Sequence, residues 1–227
     1  MIASSLERDV ESVCELVRSR ARADQRTIIG IAGPPASGKS TLAESVVQRL
    51  NEDNRSSFPA ATLLPMDGYH LENRLLESRG LLARKGAPET FNAWGFCDAV
   101  KRLKVAKRET FHPKFDRQMD LSIAQSITIH PETPVVVVEG NYLLLKTEPW
   151  NSLEGEFAAT VFVCPSNKAI LDRLKQRWIK HGLDEEAAVL RARGNDLANA
   201  ELVIRDSRDA DMLITQNYTE FGVRYAY

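Results

Sequence analysis

Thr27-Ile28-Ile29-Gly30-Ile31-Ala32 runs straight into Gly33-Pro34-Pro35-Ala36-Ser37-Gly38-Lys39-Ser40-Thr41. The first six residues are apolar and largely β-branched, which suits a buried strand. Leu42, Val46 and Leu50 follow at helical spacing. A strand, a G-x-x-x-x-G-K-S loop and a helix form the context in which this pattern builds a phosphate cradle. The backbone N–H groups of the loop and the start of the helix converge on phosphate oxygens there. Gly33, Ala36, Ser37, Gly38, Lys39, Ser40 and Thr41 are the residues expected to line the cradle. Lys39 is expected to reach the β- and γ-phosphates of ATP, and the Ser40 hydroxyl to join the shell of a Mg2+ ion. The reading predicts a site for a nucleoside triphosphate.

Bulk properties narrow the classes that surround such a site. The 227 residues carry a formal net charge of −1, so no global basic field points to nucleic acid or to an anionic membrane. Cys14, Cys97 and Cys164 are far apart and in no metal-ligand spacing, which predicts reduced thiols in a cytoplasmic protein. The four histidines, His70, His112, His130 and His181, form no close-spaced zinc pair. The opening residues show no apolar segment of signal-peptide length, and no apolar run is long enough to span a membrane.

Further apolar runs complete an α/β pattern. Leu6, Val10, Val13 and Val17 mark one face of an N-terminal helix within residues 1–24. Ala60 to Leu64, Val135 to Val138, Ala159 to Cys164 and Asp211 to Thr215 read as strands, and 71–79, 93–107 and 184–201 as helices. Ile170, Leu174 and Trp178 define another helix, running to His181-Gly182. Residues 109–117 read as irregular or as part of a hairpin, and 123–129 as a half-exposed strand. Continuous apolar strands between helices predict a three-layer α/β/α fold around a mostly parallel, doubly wound sheet. A small helical lid is expected at about 165–200, and one domain over residues 1–227.

In open sheets of this kind, chemistry gathers beyond the carboxyl ends of the strands. Asp67 closes the second strand, where a carboxylate can take the proton of an attacking hydroxyl; an Asx turn before Gly68 is the structural alternative. Glu139 ends the valine strand, where a Walker-B carboxylate approaches magnesium; a solvent-facing strand-end charge is the alternative. Arg84, Lys85 and Arg117 lie in basic segments that can clamp a substrate or simply be solvated. Arg173 and Arg177, four residues apart, share one helix face. They suit a lid that neutralises developing charge, or a surface face paired with acids. Tyr69, His70, Phe91, Trp94 and Tyr142, with Asn141 beside the last, can wall a substrate pocket or belong to the core.

GPPASGKST, PMDGYHL, RKGAPETFNAWGF, HPKFDR, VVVVEGNYLLL and the Arg173/Arg177 helix together resemble the phosphoribulokinase/uridine kinase superfamily, which includes bacterial pantothenate kinases. The resemblance spans residues 27 to about 215 and extends to bacterial nucleoside/nucleotide kinase-like and fructose-transport-associated kinases. It implies ATP-dependent transfer to a hydroxyl of a small molecule, with Asp67 as general base, Glu139 near magnesium, the RKGAPETF loop near the acceptor, and Arg173 and Arg177 in the lid. One position departs: relatives usually carry Phe-Asp where this chain has Phe91-Asn92, which puts any role of that carboxylate in doubt. An ATPase switch without a small-molecule acceptor is the alternative. The N-K-x-D signature of a guanine-specific switch is missing, since Asn167-Lys168 is followed by Ala169-Ile170.

Overall fold

Alternate residues of the apolar strands face opposite ways, and this alternation builds the layers. Ile28 and Ala32 of β1 (Thr27–Ala32) join one core cluster, whereas Ile29 and Ile31 join the other. Val136 and Val138 of β5 (Val135–Gly140) divide from Val135 and Val137 in the same way. The computed structural model describes residues 5–215 apart from Ala23, Asp53 and His181. The expected helix end at His181 therefore lies outside the described residues, as do 1–4 and 216–227.

With β2 (Ala61–Pro65), β6 (Ala159–Val163) and β7 (Met212–Ile214), the strands form a parallel five-stranded sheet in the order β2-β5-β1-β6-β7. The chain leaves β1 toward one edge of the sheet and, after β5, continues on the other side of β1. The carboxyl ends of β1 and β5 therefore adjoin where the winding reverses, which is where a ligand crevice forms. Helices α1 (Ser5–Arg20) and α2 (Lys39–Asn51) cover one face through Val13, Val17, Leu42 and Val46. Beyond β2 come a 3-10 turn at Met66–Tyr69, the short α3 (Asn73–Ser78) and then α4 (Ala93–Leu103). Phe96, Cys97, Val100 and Leu103 of α4 cover the other face together with Leu143, Leu144 and Trp150. The fold class read from sequence is the one observed.

Two helices differ from expectation, and one open alternative is resolved. Helix α4 stops at Leu103 rather than Lys107, because Leu103 is its last core residue and Val105 is 75% exposed. The segment left open as irregular or hairpin is a hairpin, formed by antiparallel β3 (Thr110–Asp116) and β4 (Leu121–Ile129). Its register shifts between His112 and Lys114, where Pro113 has no N–H to offer the ladder. After α5 (Asn167–Lys180), the helix expected over 184–201 is split into α6 (Glu185–Arg191), a π-helical turn at Ala192–Asp196 and α7 (Leu197–Asp206). Ala192 and Ala200 pack on Ile170 and Leu174, but Val203 already belongs to the main core. Residues 167–180 and 185–200 are helical, and Ile170, Leu174, Ala192 and Ala200 form a small cluster separate from the two main ones. Cys14 and Cys97 are buried free thiols and Cys164 is a partly exposed one. Among the described residues no helix is long and apolar enough to cross a membrane.

The hairpin is fastened to the turn after β2. A β-carbon on Gly68 would lie 2.2 Å from the Pro113 carbonyl oxygen, so only glycine permits the approach. The Tyr69 hydroxyl meets His112 Nδ1 at 3.0 Å, and His112 Nε2 meets Thr110 Oγ1 at 2.9 Å. Burial pushes the His112 imidazole down to about 4, with Arg102 adding to the effect, and pushes the Tyr69 phenol up to about 12. Between pH 6.5 and 4 the unfolded chain binds a proton that folded His112 refuses, so stability falls as pH falls through that window. The full gap corresponds to about 3 kcal/mol. His112→Gln keeps a polar side chain and removes the titration. Urea unfolding is expected to show wild type losing about 2–4 kcal/mol more than His112→Gln between pH 7 and pH 4. Parallel pH dependences would contradict the buried neutral imidazole.

Candidate active site

Three backbone features shape the loop that follows β1. Gly33 lies so close to β6 that a β-carbon would sit 2.3 Å from the Val163 carbonyl oxygen. Gly38 has φ +95°, in the left-handed region, and opens α2 without a side-chain cap. Ala36 also has positive φ, at +61°, which is uncommon for a residue bearing a β-carbon. The first turn of α2 carries no acid, so its N–H groups remain suited to an anion. Ser37 is fully buried, and its Oγ accepts from the Lys39 N–H at 3.4 Å. Thr41 follows half-buried in α2.

Lys39 and Glu139 meet at the adjoining ends of β1 and β5. The ammonium lies 3.7 Å from Glu139 Oε1 and 3.4 Å from the Pro34 carbonyl oxygen, and the Ser40 hydroxyl donates to the same Oε1 at 3.2 Å. Both charged side chains are more than nine-tenths buried. Burial is the largest influence on each: it pushes Lys39 down and Glu139 up, while each charge partly offsets the effect on the other. A strand-end charge facing solvent is therefore not what Glu139 provides. A hydroxyl and a carboxylate beside an uncapped helix start fit the hard-oxygen preference of Mg2+, an ion that keeps most of its shell as water and phosphate oxygen. Among the described residues no cluster of three or more His, Cys, Asp or Glu forms an all-protein metal cage.

Asp67 enters from the neighbouring strand. Pro65 pairs in register with Glu139, and Asp67 lies in the 3-10 turn just beyond it. Its carboxylate meets Arg117 Nη2 of the hairpin at 3.0 Å, in place of the N–H groups an Asx turn would use. Burial would raise the Asp67 carboxyl, but Arg117, His70, Lys39 and Arg177 together hold it below its ordinary value. Arg173 Nη1 donates to the carbonyls of Ala36 and Ser37 at 3.3 and 2.9 Å, so α5 is docked on the phosphate-type loop. Arg177, one turn later, is near enough for its charge to act on both Lys39 and Asp67. The structure thus brings Lys39, Ser40, Asp67, Arg117, Glu139, Arg173 and Arg177 together.

The remaining candidates divide. His70 donates from Nδ1 to the Asp67 carbonyl at 2.8 Å if that nitrogen carries the proton, and its ring lies between Phe91 at 4.0 Å and Phe115 at 4.6 Å. Burial, the leading influence, holds the imidazole below its ordinary value and so favours the neutral form. Phe91 and Tyr142 belong to an aromatic cluster with Trp150. Tyr142 is fully buried, and its hydroxyl donates to the Gly86 carbonyl, which anchors the loop rather than facing an open pocket. Asn141 is half-buried beside it. Trp94 is 57% exposed on α4 and is not part of that cluster. Arg84 pairs with Glu89 at 2.7 Å on the exposed side of its loop, and Lys85 is engaged within the protein. Asn92 is exposed and caps α4, its Oδ1 accepting from the Gly95 N–H at 3.1 Å, a role asparagine fills as well as aspartate. His112, Asn73, Asp120 and Asn195 join these contacts without having been singled out in the sequence. Only the proximity of His112 to Arg117 in HPKFDR offered a signal.

No family model matches the chain. It is similar to "Uncharacterized protein YggC" of Escherichia coli, with 32% identity over 203 residues, 89% of this chain and 82% of that protein. It is also similar to a Schizosaccharomyces pombe protein named "Putative uridine kinase", with 30% identity over 218 residues and 92% of each chain. The solved structure of a "putative fructose transport system kinase" from Silicibacter sp. TM1040 superimposes with a TM-score of 0.81 at 39% identity, over 90% of this chain and 98% of that one. These likenesses cover most of each chain, and the chain belongs to the phosphoribulokinase/uridine kinase superfamily of P-loop kinases.

Proposed function

We propose that this chain transfers the γ-phosphoryl group of ATP to a hydroxyl of a small metabolite, a sugar, a nucleoside or a pantothenate-like alcohol. The observation that carries the reading is the position of Asp67: one strand over from the buried Lys39–Glu139 pair, held ionised, and facing the hairpin. In this reading the loop N–H groups and Lys39 bind the triphosphate. Ser40 and Glu139 would hold Mg2+, which when bound would supply positive charge to the phosphates. The substrate hydroxyl takes a place on the Asp67 carboxylate in exchange for an Arg117 bond, and Asp67 accepts its proton as the oxygen attacks the γ-phosphorus. The bond from that phosphorus to the β–γ bridging oxygen breaks, and ADP leaves with the electron pair. Helices α5 and α6 serve as the lid, with Arg173 fixing the loop and Arg177 placing positive charge near the transferring group. His70 and Phe91 flank the acceptor side.

An ATP-consumption screen over pentoses, hexoses, nucleosides and vitamin precursors, with mass detection of the product, tests the reading. A phosphorylated acceptor is expected. ATP turnover that no acceptor alters would instead favour a switch. Asp67→Asn is expected to lower turnover by about 10²–10⁴, the scale of losing a general base.

Arg117→Met frees the Asp67 carboxyl to rise toward its ordinary value, so the base is lost at a higher pH than in wild type. The acid limb of the rate profile should then move to higher pH. An unmoved limb would show that Arg117 does not tune the base.

A further inference from the structure

Lys85 sits in the loop of residues 80–90, where a free cation would be placed to grip a substrate. Its ammonium has no donor to spare. The three N–H bonds point at Asn73 Oδ1 of α3 at 2.6 Å, the Asp120 carbonyl at 2.7 Å and Asp120 Oδ1 at 2.8 Å. Asp120 is in the turn of the hairpin, between β3 and β4, and holds a left-handed φ of +52°. Asn73 also donates to Asp120 Oδ2 at 3.1 Å, closing a small network. Burial would raise the Asp120 carboxyl, but the bonds from Lys85 and Asn73 hold it below its ordinary value. The ammonium lies 5.0 Å over the Phe115 ring of β3, and the side chain is only 11% exposed.

The backbone of the same residue reaches the lid. The Lys85 carbonyl accepts from the Asn195 amide at 2.9 Å. Asn195 lies in the π-helical turn between α6 and α7, an irregularity that alters which residues face the loop. The loop and the helices face one another across a groove of about 590 Å³ lined by Arg84, Leu183, Leu190, Arg191 and Asn195 among others. Lys85 therefore bonds to α3, to the hairpin turn and, through its carbonyl, to Asn195 of the lid.

We propose that Lys85 is a positioning residue that fastens the hairpin turn, the 80–90 loop and the lid into one closed unit, and that it does not bind the acceptor. The part concerning the acceptor rests on the kinase reading; the fastening does not. The Lys85 ammonium is shielded although Asp120 is 56% exposed, so breaking these bonds leaves the buried donor, not the carboxylate, without compensation. The cooperative unit they define should open as one.

Hydrogen–deuterium exchange read by mass spectrometry tests it on the full chain. In Lys85→Met, exchange in 80–90, 117–123 and 192–196 is expected to quicken together by about tenfold, the scale of one lost charged hydrogen bond. Strands β1 and β5 should keep wild-type exchange, and titration with Mg2+ and a non-hydrolysable ATP analogue should give wild-type affinity. Lys85→Arg, which keeps the charge and its donors, should restore slow exchange in all three segments. Wild-type exchange at 117–123 or 192–196 in Lys85→Met, or no restoration by arginine, would overturn the proposal. If Lys85→Met does not fold, Asn195→Ala decides the lid connection. Exchange must then quicken in 80–90 as well as in 192–196, and an unchanged loop would count against the proposal. Exchange needs no acceptor, so an acceptor screen without product would sink the kinase reading and leave this result to stand by itself.

Discussion

Lys39 and Glu139 are buried together at the adjoining ends of β1 and β5, and the arrangement of the surrounding elements follows from keeping that pair matched. An uncompensated charge at such depth destabilises a protein by several kcal/mol, typically about 3–5. The parallel register puts Ile31 opposite Glu139, so the loop leaving β1 has to deliver Lys39 back over that strand end. Glycine at 33 makes this possible by letting the chain pass against the Val163 carbonyl, and glycine at 38 turns it into α2. In the proposed reading, a polyphosphate would offer Lys39 a stronger partner and leave the Glu139 carboxylate to a cation.

A second charge pair, Asp67 with Arg117, sits one strand away and is more exposed, with side-chain exposures of 28% and 60%. Its energetic worth for folding is correspondingly small. It joins the strand end to a hairpin that is otherwise attached through Tyr69–His112 and the close approach of Gly68 to Pro113. The crevice is thus bordered by the strand ends on one side and by the hairpin on the other, joined through these contacts. That division suits a reaction in which one reactant is held by backbone and the other is enclosed afterwards.

Much of this was legible in the sequence, for identifiable reasons. TIIGIA, VVVV and ATVFVC are continuous apolar runs because both faces of the sheet are covered, and G-x-x-x-x-G-K-S needs its glycines at fixed places. Asp67 and Glu139 were visible as polar residues ending apolar strands. The partners were not. That Arg117 meets Asp67, that Lys85 spends its donors on Asn73 and Asp120, and that Asn195 reaches the Lys85 carbonyl are contacts between residues 12 to 110 positions apart. No local spacing encodes them. The π-helical turn was hidden because ARGND interrupts a helical pattern without a proline. For Tyr142 the sequence left pocket wall and core both open, and the side chain packs inward among aromatic rings.

In the proposed function the strand ends form two separable halves, one that binds the triphosphate through Lys39 and one that serves the acceptor through Asp67. Calorimetric titration of wild type, Lys39→Ala and Asp67→Asn with Mg2+ and a non-hydrolysable ATP analogue tests it most directly. Lys39→Ala is expected to bind at least about tenfold more weakly, the scale of one charge-assisted contact, while Asp67→Asn keeps wild-type affinity. Equal losses in the two variants, or undiminished binding by Lys39→Ala, would contradict the account.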